Sequence, residues 1–225
     1  MQKETALIKT LRAILRVVWP GWRSEVRAPG GPCVYVCSHH NLHGPMMTVV
    51  WLGFPVRLWV LNVFFDRESC RKQYAEYTFS KRFGMKPWLA DLCAGIASGA
   101  VSHIVRSTGA IPVWRGSSRI QETFRDSIAA LKAGDRLAIF PDVAYSGEQE
   151  GIGEIYEGFL LLGRMYARDT GRPLPFIPLY MDYERKTIRE GTPVCYDPAA
   201  KPREERERLA KALREQINAM AAGKQ

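Results

Sequence analysis

The sequence predicts an α/β fold: a single layered domain with a mixed, largely parallel sheet flanked by helices. Two observations carry this. Short apolar runs at 33–37, 56–62, 109–115, 136–140 and 176–180 alternate with longer stretches of helical spacing, the order expected where crossover helices join parallel strands. Turn formers punctuate the same places, namely Pro29-Gly30-Gly31-Pro32, Gly53-Phe54-Pro55, Gly134 and Gly171-Arg172-Pro173. In such folds ligands meet the carboxyl ends of strands.

The 225 residues suffice for one core, and no internal repeat or low-complexity linker divides them, so residues 1–225 are read as one domain. Five cysteines, at 33, 37, 70, 93 and 195, are odd in number and irregularly spaced, with no leader ahead of them. That pattern suits a reducing cytoplasm. The net charge of +9 favours an anionic partner. The basic residues are spread along the chain without a nucleic-acid-binding motif, so a phospholipid surface or a phosphorylated ligand is expected and nucleic acid is not.

Residues 6–19 place Lys9, Arg12 and Arg16 on one narrow helix face against a broad aliphatic one, with Trp19 and Trp22 beyond. Residues 1–22 are therefore read as an amphipathic membrane-surface helix, too short and too charged to span, giving a cytoplasmic, peripherally membrane-associated protein. The other reading, that the aliphatic face packs on the protein's own core, stays open.

Cys33 to Cys37 is an apolar strand, and it runs into Ser38-His39-His40-Asn41-Leu42-His43-Gly44-Pro45, which holds three of the four histidines. Gly44 and Pro45 are expected as N-cap and first residue of a helix ending near Leu52. A strand follows from Val56 to Asn62. Residues 63–108 are mixed and aromatic-rich, then apolar from Trp88 to Val105, suggesting one or two helices without a legible role. The next strand ends in Arg115-Gly116, and Ser118 with Gln121 has capping-box spacing for a helix to Ala133. Arg136 to Phe140 is a strand leading to Pro141-Asp142. Tyr156 to Arg168 is read as a helix, Phe176 to Tyr180 as a strand, and 203–222 as a closing helix with Leu209, Leu213, Ile217 and Met220 along one face.

These placements put a histidine, an arginine and a carboxylate just past strand ends. Histidine is the side chain whose ordinary pKa suits a general base at neutral pH, and N–H groups at a helix start can cradle an oxyanion. Arg115 can grip a phosphate bidentately, with Gly116, Ser117 and Ser118 adding the positive end of the following helix. Asp142 can bond the substrate or Arg115. Plainer readings are an Arg115–Asp142 ion pair, Ser118 as a mere cap, and His40 and His43 as solvated turn residues. Cys33, Cys37, His39, His40 and His43 match no familiar zinc spacing, so no metal is expected. No Gly-x-Ser-x-Gly element marks a hydrolase nucleophile.

The order of these motifs resembles the glycerophospholipid acyltransferases that convert lysophosphatidic acid to phosphatidic acid and carry an H-x4-D box. Ser38-His39 stands at their Asn-His, Gly109-Ala-Ile-Pro-Val-Trp-Arg115 at their Gly-x-Ile-Pro-Val-x-Arg block, Phe140-Pro141-Asp142 at their Phe-Pro-Glu-Gly block, and Phe176-Ile-Pro178-Leu at their Val-Pro block. The resemblance spans about 33–195. It implies His39 as general base, acyl-CoA or acyl carrier protein as thioester donor, a phosphorylated lipid acceptor and no cofactor. The box's aspartate position is Gly44, and no carboxylate lies between Glu25 and Asp66. The orienting group for His39 then comes from elsewhere: Asp66, Glu68, His43, a backbone carbonyl or, first, Asp142. Placing aspartate at Gly44 is expected to be sterically mild. The alternative is a relative that keeps the fold, binds lipid or acts as a scaffold, and has lost catalysis.

Overall fold

The computed structural model describes residues 5–40, 43–143 and 151–223. Helix α1 (Ala6–Val18), whose N-cap Thr5 accepts from the Ile8 N–H at 3.4 Å, leads through β1 (Arg23–Ser24) to β2 (Val34–Cys37), α2 (His43–Trp51) and β3 (Arg57–Leu61). A 3₁₀ turn (Asn62–Phe65), α3 (Arg67–Lys72), a π-helix (Gln73–Arg82) and α4 (Pro87–Ser107) form a helical excursion before β4 (Ile111–Val113). Then come α5 (Ile120–Lys132), β5 (Leu137–Ile139), α6 (Leu161–Thr170), β6 (Pro175–Asp182), β7 (Thr187–Glu190), β8 (Val194–Cys195) and α7 (Pro202–Ala221).

The strands form one sheet in the order β1-β7-β6-β2-β5-β3-β4, with β8 also beside β6. Among the named strands of the described residues, only the pairings of β6 with β7 and with β8 are antiparallel, so the mixed, largely parallel sheet expected from the alternation is what forms. β2 is central and fully buried, paired in parallel with β5 through Val36↔Ile139 and with β6 through Val36↔Pro178. Its alternation feeds both layers. Val34 and Val36 join a core with Leu137, Ile139, Leu160, Leu209 and Leu213, while Cys33, Tyr35 and Cys37 join Trp22, Met47, Leu52 and Phe54 on the other face. Leu209, Leu213, Ile217 and Met220 are all buried, as the closing helix's spacing predicts.

Helix α1 does not use its charged face as expected. Arg12 Nε and Arg16 Nε each donate at 3.0 Å to the carbonyls of Val49 and Val50, the last-turn acceptors of α2 that have no helical partner of their own. Arg16 also lies 5.3 Å over the Trp51 ring. Ile8 is buried, but Leu7, Ile14, Val17 and Val18 are exposed. Arg12 and Arg16 are thus bound to the protein while Lys9 stays exposed, and much of the aliphatic face is turned outward.

Candidate active site at the carboxyl ends of the strands

Because β2 and β5 are parallel neighbours, Ser38-His39 and Asp142 emerge side by side. Asp142 is 7% exposed, and its carboxylate closes the junction: Oδ2 accepts the His39 backbone N–H at 2.6 Å and Oδ1 accepts the Ser38 hydroxyl at 3.1 Å. Burial pushes the Asp142 pKa above the ordinary carboxylate value, and the two donors partly offset that. Asp142 was expected to orient the His39 ring, but the bond it makes to His39 is at the backbone N–H. It fixes where the residue stands. The His39 ring sits edge-on to Phe140, 5.8 Å between centroids.

Gly44 is not an N-cap; it is buried inside the first turn of α2, which begins at His43. A Cβ there would come within 2.9 Å of the His39 carbonyl oxygen and closer still to that of Ser38. Aspartate at this position is consequently not mild, because α2 starts hard against the backbone it would need to orient. The Gly44 N–H donates to His39 O at 3.1 Å and the His43 N–H to His40 O at 3.3 Å, so these two helix-start donors close the turn rather than stand open as an oxyanion cradle. Thr48 Oγ1 donates to Gly44 O at 2.8 Å, tying the same turn from below.

His40 adopts φ +39°, a left-handed conformation that costs a non-glycine residue about 1 kcal/mol or more. Its ring is stacked on Tyr183, centroids 4.7 Å apart, and His43 meets the same tyrosine edge-on at 5.9 Å. Burial, then the neighbouring His43, lower the His40 pKa. His40 is thus half-buried against this ring, whereas His43 meets its edge but stays exposed, as a solvated turn residue would. Tyr183, which follows β6, meets Trp22 edge-on at 5.3 Å on its other side. Sequence reasoning missed it; its only signal is its place just after the apolar run of β6. Cys33 and Cys37 lie in the core, where burial raises both thiols, Cys33 to about 12.

Arg115, Gly116, Ser117 and Ser118 follow β4 and are exposed. β4 is separated from β2 by β5 and β3, three spacings of about 4.8 Å each. What spans the gap is Tyr156. Residues 154–156 lie antiparallel against 141–143, with Val143 N–H to Glu154 O at 3.0 Å and Tyr156 N–H to Pro141 O at 2.8 Å. The Tyr156 ring carries the Arg115 guanidinium 3.6 Å from its centroid. Tyr156 is therefore extended chain, not the first residue of a helix, which starts only at Leu161 after a 3₁₀ turn. No ion pair joins Arg115 to Asp142 among the described residues.

The Ser118–Gln121 capping box does not form. Helix α5 begins at Ile120 with no side-chain cap, while the Arg119 guanidinium stacks 3.4 Å from the Trp114 centroid and binds both Glu122 oxygens at 2.8 and 2.9 Å. Ser117 Oγ instead accepts the Arg119 N–H at 3.2 Å. Glu122 already sits in the positive first turn of α5. Asn41, Leu42 and residues 144–150 lie outside the described residues.

The whole architecture is matched by a solved structure, the crystal structure of the 1-acyl-sn-glycerophosphate (LPA) acyltransferase PlsC from Thermotoga maritima. The TM-score is 0.53 at 11% identity, covering 94% of this chain and 79% of that one. The two share a fold. No protein-family model matches the sequence, and neither does any curated protein. The likeness to PlsC is thus one of architecture, reached with few residues in common.

Proposed function

We propose that this protein is an acyltransferase that moves a fatty acyl group from a thioester to the hydroxyl of a phosphorylated lipid. The observation that carries the reading is the Asp142 carboxylate pinning the His39 backbone at the carboxyl end of β2, within a fold shared with PlsC. His39 takes the proton of the acceptor hydroxyl as its oxygen attacks the thioester carbonyl. The carbon–oxygen bond forms, the carbon–sulfur bond breaks, and the imidazolium returns the proton to the departing thiolate. Arg115, levelled on Tyr156, binds the acceptor's phosphate, and Gly116, Ser117 and Ser118 leave that approach open to solvent. Coenzyme A or acyl carrier protein serves as donor, and no cofactor is required. Aliphatic residues of α1 rest on a phospholipid surface on the cytoplasmic side, which delivers the acceptor.

A second reading is supported by Gly44. The position of the family's orienting aspartate is closed by backbone, which suits a protein that keeps the lipid-binding fold without turnover. Release of free thiol from an acyl thioester, dependent on lysophosphatidic acid and on His39, separates the two.

A further inference from the structure

Helix α4 is packed the wrong way round for a helix in water. Its buried row is small, Ala90, Ala94, Ser98 and Ser102, set against α3 and the π-helix. Its outward row at i, i+4 and i+8 is Trp88, Leu92 and Ile96, exposed by 67, 56 and 75%. Large apolar side chains gain from leaving water and small ones gain little, so folding alone selects the opposite orientation. Contiguous exposed apolar rows of this kind mark contact with something else.

The turn that precedes α4 says what that is. Tyr77 within the π-helix and Phe83 just after it are exposed, and so are Lys81 and Lys86 on either side of Phe83, ahead of Trp88. The rings of Phe64, Tyr74, Phe79 and Phe83 follow one another at 5.7, 5.7 and 6.1 Å, a ladder that holds the tip in place. Residues 67–107 carry seven Lys and Arg against three Asp and Glu, and Asp91, the one carboxylate on α4, is held by two bonds from Arg71. A second copy docking by this face would set lysines near lysines about a two-fold axis. Aromatic rings and aliphatics flanked by exposed lysines are instead the composition of an interfacial helix on anionic lipid.

We propose that α4 and the π-helix tip are a membrane-docking surface, with Phe83, Trp88, Leu92 and Ile96 entering the boundary between headgroups and acyl chains and Lys81 and Lys86 on lipid phosphates. With 21 residues, about 30 Å long, α4 lies along the surface because its small-residue row is already held by α3 and the π-helix. α1, whose outward face is also aliphatic, packs beside it. This surface is independent of the acyl-transfer reading, since binding is measured without turnover.

The test is co-sedimentation of the full chain with vesicles of phosphatidylglycerol and phosphatidylcholine. The triple variant W88S/L92S/I96S, with circular dichroism unchanged, is expected to bind at least about tenfold more weakly. K81E/K86E is expected to weaken binding to the mixed vesicles and to remove its dependence on phosphatidylglycerol. As a check that does not rely on a triple substitution, brominated lipid should quench emission in the wild type more than in Trp88→Phe. The proposal is overturned if the folded triple variant binds like wild type, if bromolipid quenching is equal in wild type and Trp88→Phe, or if the wild type is a dimer that the triple variant converts to a monomer without lipid.

Discussion

The Oδ2 atom of Asp142 lies 2.6 Å from the backbone nitrogen of His39, joining the ends of two neighbouring parallel strands by a charge-assisted bond. A carboxylate in this place fixes the position of His39 through its main chain. Removing it should loosen the turn more than the core. We expect Asp142→Ala to cost about 2 kcal/mol, from a buried donor and a hydroxyl left without an acceptor, with most of the activity lost. Asp142→Asn keeps one acceptor but turns an amide toward an N–H, so it should rescue stability only in part. Urea titration with acyl-transfer assays of both variants checks this.

Gly44 gives the opposite kind of prediction. Gly44→Ala and Gly44→Asp should both destabilise the chain by about 3 kcal/mol or more, because the Ser38 and His39 carbonyls are backbone and cannot move aside. Thermal unfolding of the two variants decides the matter. A stable, more active Gly44→Asp would contradict the close approach of α2.

His40 makes stability depend on pH in a known direction. Its pKa is lowered in the folded chain below the ordinary 6.5, so above that value both states are neutral and the full stability is present. As pH falls through 6.5 the unfolded chain takes up a proton that the folded chain refuses, and stability drops until the folded pKa is passed. His40→Asn, which tolerates φ +39° better, should flatten this part of the Tm–pH curve.

Tyr156 should act on the acceptor through Arg115. Tyr156→Phe keeps the ring under the guanidinium and should leave kinetics near wild type, whereas Tyr156→Ala should raise KM for the phosphorylated acceptor about fivefold with a smaller change in kcat. Steady-state kinetics with acceptor varied at fixed donor give the split. Equal effects of both substitutions would remove the stacking role.

The sheet's main strands were legible because β2, β3, β5 and β6 are apolar runs bounded by turn formers, and their parallel order followed from alternation with helices. β1, β7 and β8 were not, since two to four residues of mixed character leave no period to read. Candidates His39, Asp142 and Arg115 could be named because strand ends are readable. What links them could not. Tyr156 arrives by the pairing of 154–156 against 141–143, and Tyr183 by β6 lying beside β2. The role of Gly44 comes from backbone contact, which leaves no mark in the sequence beyond the glycine itself. In α1, spacing showed an amphipathic helix but not which face would be held, because Arg12 and Arg16 find their acceptors in α2.

The most direct measurement is thiol release from an acyl thioester by the purified protein, with and without lysophosphatidic acid, for wild type and His39→Ala. Release that requires the acceptor is expected in the wild type, with a loss of at least about a hundredfold in His39→Ala and unchanged thermal stability. Inactivity of the wild type across donors and acceptors, or equal activity of His39→Ala, would contradict this expectation.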